Sequence, residues 1–78
     1  MARKIQEIAS EILQDWKKPY FGAIPYIEAM LKLNTIHDHY LFDTAESIVI
    51  YFLANATTWR GETAKRIKAE LREMLREV

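Results

Sequence analysis

The two histidines of this chain stand together as His37-Asp38-His39, with Asp43 close behind, and no other segment gathers metal-ligating side chains so tightly. Imidazole nitrogens and carboxylate oxygens could bind zinc, but a zinc site wants three or four rigidly held protein ligands. Two histidines at i,i+2 cannot share one helical face. The spacing therefore reads as a polar loop, and no metal is expected. Ser10 and Ser47 have no histidine near them in sequence to act as a base. Gly22 and Gly61 lie far apart, so nothing resembles a glycine-rich loop around a phosphate. The residues carry no catalytic constellation, and neither enzyme activity nor a cofactor is expected.

Two binding chemistries remain. The last segment carries Lys65, Lys68, Arg72 and Arg76, which fall in one sector of a helix. Such a stripe can hold phosphates and would suit a nucleic-acid-binding regulator. Against it, Glu70, Glu73 and Glu77 share the helix, and of the Asn, Gln, Ser and Thr side chains that accompany arginine in base readout it holds only Thr63. A solvated face with cations toward a helix C-terminus is the preferred reading. The second chemistry is aromatic. Tyr20, Phe21 and Tyr26 cluster around one connector, and Trp59-Arg60 is a pair of the kind enriched at interface hot spots. Trp59 falls out of phase with the apolar stripe of the segment after it. It is either an interface anchor or a plug closing the core, and the core reading is slightly favoured.

Four helical segments must position these groups. From Ala2 to Lys18, Ile5, Ile8, Ala9, Ile12, Leu13 and Trp16 recur at helical spacing, and Pro19 stops the run. A second, short helix begins near Ala23–Pro25, where proline suits a first turn, and runs toward Asn34 with Glu28 and Lys32 paired at i,i+4. Thr35 to Phe42 reads as a linker. The third segment, Thr44 to Ala56, contains Ile48-Val49-Ile50-Tyr51-Phe52-Leu53-Ala54, a run without a polar face. That run is also good strand material, but a strand needs a partner and no second run of the kind exists. Asp43 as N-cap with Glu46 at N3 forms a capping box, which favours a helix covered on nearly every side. The fourth helix spans Glu62 to Glu77 and packs Ala64, Ile67, Leu71, Met74, Leu75 and Val78 on one face.

Composition sets the frame. The chain has 78 residues, enough for a single helical domain over 1–78 near the size where one core is marginal. Half of the residues are hydrophobic and 28% are charged, as in folded chains and not disordered ones. Eleven basic residues balance eleven acidic ones, so no global attraction to nucleic acid or anionic lipid operates. Cysteine is absent, which fits a reducing compartment. No apolar run approaches the roughly 20 residues of a membrane span, and Met1-Ala2-Arg3-Lys4-Ile5 lacks a signal-peptide core. A cytoplasmic location is expected.

The segments Lys18-Pro19-Tyr20-Phe21-Gly22-Ala23, Tyr26-Ile27-Glu28-Ala29-Met30, Ser47 through Ala56, and Thr58-Trp59-Arg60-Gly61-Glu62-Thr63-Ala64 resemble a group of short uncharacterised helical proteins of bacteriophages and prophages. The resemblance spans most of the chain, and Thr58-Trp59-Arg60-Gly61 is its most distinctive part. It implies a small accessory protein made in a bacterial host cytosol and acting by binding. It transfers no activity and no catalytic residue.

The expectations are therefore these. The fold is all-α, a compact four-helix bundle with a short second helix and a buried, nearly all-apolar third helix. The function is non-enzymatic binding of a host or phage protein through Tyr20, Phe21, Tyr26, Trp59 and Arg60, with nucleic-acid binding through Lys65, Lys68, Arg72 and Arg76 as the alternative. A homodimer burying the Tyr20–Tyr26 region would cover apolar surface that so small a domain leaves exposed.

Overall fold

The computed structural model describes residues 3–77. Four helices, α1 (Ile5–Asp15), α2 (Ile24–Met30), α3 (Ala45–Ala54) and α4 (Glu62–Leu75), are joined by a two-stranded hairpin, β1 (His39–Tyr40) and β2 (Asp43–Thr44). The architecture is mostly helical. It departs from an all-α four-helix bundle in that hairpin and in the brevity of α2, which has seven residues. Each helix packs on two others, α1 on α2 and α4, α3 on α2 and α4, so the four close a ring around Phe52, Ile8, Ile67 and Leu71.

Helix α1 buries Ile5, Ile8, Ala9 and Ile12, the expected stripe, but leaves Leu13 exposed. It stops at Asp15, three residues before the expected end at Lys18, and the expected start at Ala2 lies outside the described residues. Trp16 leaves the helix while its N–H still reaches the Ile12 carbonyl at 2.7 Å. The gain that offsets the lost turn is tertiary, because Trp16 stacks on Trp59. At the other end, Ile5 and Gln6 N–H donate to the carbonyls of Asn34 and Leu33, both at 2.9 Å. Those are first-turn donors that no helical carbonyl can satisfy.

The same contact explains why α2 is short. Its expected continuation to Asn34 bends away after Met30 so that the 33–34 carbonyls can cap α1. Lys32 thereby leaves the helix, and no Glu28–Lys32 ion pair forms. Asp38 fixes the bend: its carboxylate accepts from Asn34 N–H at 2.8 Å, Thr35 N–H at 3.1 Å and the Thr35 hydroxyl at 3.1 Å.

The expected linker at Thr35–Phe42 contains β1 and the turn of the hairpin, with His39 opposite Thr44 and Tyr40 opposite Asp43. Asp43 is consequently a strand residue, not the N-cap of α3. Thr44 caps that helix, its hydroxyl accepting from Ser47 N–H at 3.1 Å. Sequence pattern alone could not separate two adjacent capping residues; the start of the helix at Ala45 does. The tip of the hairpin holds Leu41 and Phe42, both exposed, with Leu41 at φ 58°. Glycine, asparagine or aspartate usually fills such a position, since a left-handed φ crowds a Cβ.

Helix α3 is not covered on every side. Ala45, Ile48, Val49 and Phe52 face the core, whereas Ile50 is 47% and Tyr51 54% exposed and Ala54 is open as well. Helix α4 buries Ala64, Ile67, Leu71 and Met74 as expected, leaves Leu75 half-buried and ends at Leu75 instead of Glu77, while Val78 of the expected face lies outside the described residues. It begins at Gly61, whose φ 115° and ψ 179° lie in a region that only glycine occupies readily. Arg3 ties α1 to α4 by ion-pairing with Glu11 at 2.7 Å and Glu70 at 2.6 Å, and Arg66 also pairs with Glu11. No helix among the described residues is long and apolar enough to cross a membrane.

Candidate functional site

Trp59 does not belong to the surface. It is 2% exposed, with its ring stacked on Trp16 at 5.6 Å between centroids and edge-on to Phe52 at 6.3 Å. Its indole N–H donates to the Asp15 carboxylate at 2.8 Å, and its carbonyl accepts from the Lys68 ammonium at 2.6 Å. The earlier phase problem has a plain origin: Trp59 precedes α4, so the periodicity of α4 does not govern it. Its place among the interface residues is withdrawn. Arg60, beside it, remains exposed and faces the basic side of α4.

Tyr20, Phe21, Tyr26 and Tyr51 lie in two ring pairs on either side of a seam between Gly22 and Asn55. Tyr20 contacts Phe21 at 5.0 Å between ring centroids, and Phe21 is 77% exposed. The Tyr20 ring covers Gly22, and Asn55, just past α3, closes on the same glycine. A Cβ at Gly22 would sit 2.6 Å from the Tyr20 ring and 2.9 Å from the Asn55 side-chain oxygen, so this seam needs glycine. One turn before Asn55, Tyr51 stacks on the half-buried Tyr26 at 5.7 Å. Tyr20, Phe21 and Tyr26 are thus joined through Asn55 and Tyr51, the latter on a helix expected to be buried, and Ile50 beside Tyr51 is exposed as well. The run without a polar face signalled that some apolar residues of so small a chain must face outward; the sequence did not show that these are Ile50, Tyr51 and Ala54.

The basic stripe is divided by the structure. Arg76 pairs with Glu73 at 3.3 Å and takes no part in the groove described next. Lys65, Lys68 and Arg72 join Arg60 along an open groove of about 520 Å³, with Trp59 and Gly61 at its floor and end and Glu62 as the one acid. The Lys68 ammonium lies 5.9 Å from the Trp59 ring centroid. Burial, and after it the neighbouring charges of Arg72 and Arg60, hold the pKa of Lys68 below its ordinary value.

The histidine cluster has a structural explanation. Asp38 turns back on residues 34 and 35, and those N–H donors depress its pKa. His37 and His39 are exposed. Among the described residues no group of three or more His, Asp or Glu side chains converges on one point. Ser10 donates its hydroxyl to the Gln6 carbonyl within α1, and Ser47 accepts from the Thr44 hydroxyl at the start of α3. Comparison with family models, curated proteins and solved structures finds no match to this chain.

Proposed function

We propose that this protein is a non-enzymatic binding module that engages another protein through the outer face of α3 and the aromatic seam beside it. The observation that carries this reading is the solvent side of α3. A helix on the surface of a soluble domain turns charged or polar residues outward. Here Ile50, Tyr51 and Ala54 are exposed, and no charged residue occurs between Glu46 and Arg60. Tyr20, Phe21 and Tyr26 extend the same surface. Contiguous apolar area of this kind marks protein-binding sites far more often than it marks idle surface. The polar groups that might have suggested chemistry hold caps and turns instead, which supports binding over catalysis. The resemblance to short phage and prophage proteins favours a host or phage protein in the bacterial cytosol as the partner.

The test uses Tyr51→Glu and Phe21→Glu, two exposed positions where a charge leaves the core intact. Matched pull-downs from bacterial host lysate should recover a protein with the wild type that both variants lose while melting near the wild-type temperature. Sedimentation at high micromolar concentration distinguishes a second copy as the occupant, since a dimer would be split by Tyr51→Glu. A monomer whose captured proteins are unchanged by either substitution would overturn the reading.

A further inference from the structure

Four cations converge on one side of the molecule from two different elements. Arg60 comes from the segment that precedes α4, and Lys65, Lys68 and Arg72 come from successive turns of the helix. Along the helix axis, Gly61 to Arg72 span roughly 16 Å. Arg3, Arg66 and Arg76 elsewhere on the molecule each pair with a carboxylate. Among the described residues none of the four groove cations does so. Glu62 is the single acid in the lining, which leaves the groove with a net charge of about +3, counting its side chains as ionised at neutral pH. In a chain of zero net charge this is a local concentration and not an overall bias.

Three features make the cluster a receptor and not a frayed surface. Lys68 is held in place by the Trp59 carbonyl at 2.6 Å, and Trp59 is locked in the core, so one cation is fixed on a rigid floor. The neighbouring arginines repel that ammonium, and an anion bound among them would relieve the repulsion. Gly61 opens the end of the groove, since a Cβ there would meet nothing within 4 Å, and no side chain caps the first turn of α4 behind it. That turn carries unsatisfied backbone N–H groups and the positive end of the helix dipole, and its first residue, Glu62, lines the groove beside Gly61.

We propose that this groove binds a chain of two or more linked phosphates, clamped between Arg60 and Arg72 with Lys65 and Lys68 between them. Linked phosphates suit it better than a carboxylate because they bring several charges to a site of about +3 where a single carboxylate brings one, and each guanidinium can donate two parallel hydrogen bonds to their oxygens. The site lies apart from the aromatic seam and does not depend on the reading proposed for it. Two sources share the chemistry, a free polyphosphate or nucleoside triphosphate and the backbone of a single nucleic-acid strand.

The experiment titrates the intact protein with inorganic tripolyphosphate, adenosine triphosphate, a ten-nucleotide thymidine strand and a ten-residue glutamate peptide, each at 20 mM and 200 mM salt (design values of about one decade in ionic strength, chosen to expose counterion release). Trp59 fluorescence and calorimetry report binding. Tripolyphosphate should bind at low salt, and Arg60→Glu and Arg72→Glu should each weaken it about tenfold or more, the effect of losing roughly one charge-assisted contact. Arg76→Glu, outside the groove, should leave it within about twofold, the scale of a screened distant charge. If the strand also binds, with an affinity falling as salt rises by a slope of about −0.7 per phosphate engaged, the backbone is the source; if only the free phosphates bind, the ligand is small. Absence of binding by every phosphate compound at low salt would overturn the proposal. So would an Arg76→Glu loss equal to that of Arg60→Glu, or glutamate peptide binding as tightly as tripolyphosphate.

Discussion

Replacing Trp59 with alanine should remove a large share of the stability of this chain, about 3–5 kcal/mol. An indole of this size buries on the order of 200 Å², worth roughly 5 kcal/mol at about 25 cal/mol per Å², and Trp→Ala substitutions in cores fall at about 3–5 kcal/mol. The structure places Trp59 toward the upper end of that range, because its ring meets both Trp16 and Phe52 and its N–H is satisfied by a carboxylate. Domains have about 0.05–0.15 kcal/mol of stability per residue, so a 78-residue chain holds on the order of 4–12 kcal/mol in total. Trp59→Phe separates the contributions. It keeps an aromatic face but strands the Asp15 carboxylate, and because Asp15 is exposed to water the loss from that bond should be near the low end, about 1 kcal/mol. Urea titration followed by far-UV circular dichroism measures both, since fluorescence would lose one of its two tryptophans. With a slope of about 1 kcal/mol per M, a 3 kcal/mol loss moves the midpoint by roughly 3 M. A Trp59→Ala midpoint within about 0.5 M of wild type would refute the reasoning, because no core indole could be removed so cheaply.

Other outcomes follow from the same contacts. Thr44→Ala should destabilise by about 1 kcal/mol through loss of the α3 cap, whereas Asp43→Ala should stay within about 0.5 kcal/mol; the reverse order in chemical denaturation would return the cap to Asp43. Gly61→Ala should cost about 1–3 kcal/mol from backbone strain alone, its Cβ meeting no atom, and an unchanged melting temperature would contradict the φ of 115°. Leu41→Gly should be neutral to stabilising by up to about 1 kcal/mol, since it relieves a left-handed φ at an exposed position, and a clear loss of stability would show that Leu41 makes contacts the hairpin tip does not display. The folded-state pKa values of Asp38 and Glu11 are lowered, by backbone N–H donors of residues 34 and 35 and by Arg3 and Arg66 respectively. Their contribution is therefore present above the ordinary carboxylate range and is lost as pH falls through the depressed values. Asp38→Asn with Glu11→Gln should flatten the acid limb of a stability–pH curve, and an unaltered limb would count against both contacts.

Much of the architecture was legible from spacing. Four helical segments, the core faces of α1 and α4, the proline in the first turn of α2 and the helical state of Ile48–Leu53 all follow from periodicities and cap chemistry that act within a few residues. The errors have a common source in contacts between segments distant in the chain. Helix α1 ends early because Trp16 stacks on Trp59, and α2 ends early because the carbonyls of residues 33 and 34 satisfy α1. The cap of α3 lies on Thr44 and not Asp43 because the helix begins at Ala45, which puts the Thr44 hydroxyl within reach of the Ser47 N–H.

The candidate surfaces divide in the same way. Composition and order by themselves showed that Tyr20, Phe21 and Tyr26 cluster in the sequence and that cations recur along the last helix. Only the tertiary structure decided that Trp59 is core, that Tyr51 and Ile50 complete the aromatic surface, and that Arg60 replaces Arg76 beside Lys65, Lys68 and Arg72. The physical reason is one of range. A helical period fixes which residues share a face of one element, but exposure and charge convergence depend on what packs against that face, and that is set by residues tens of positions away.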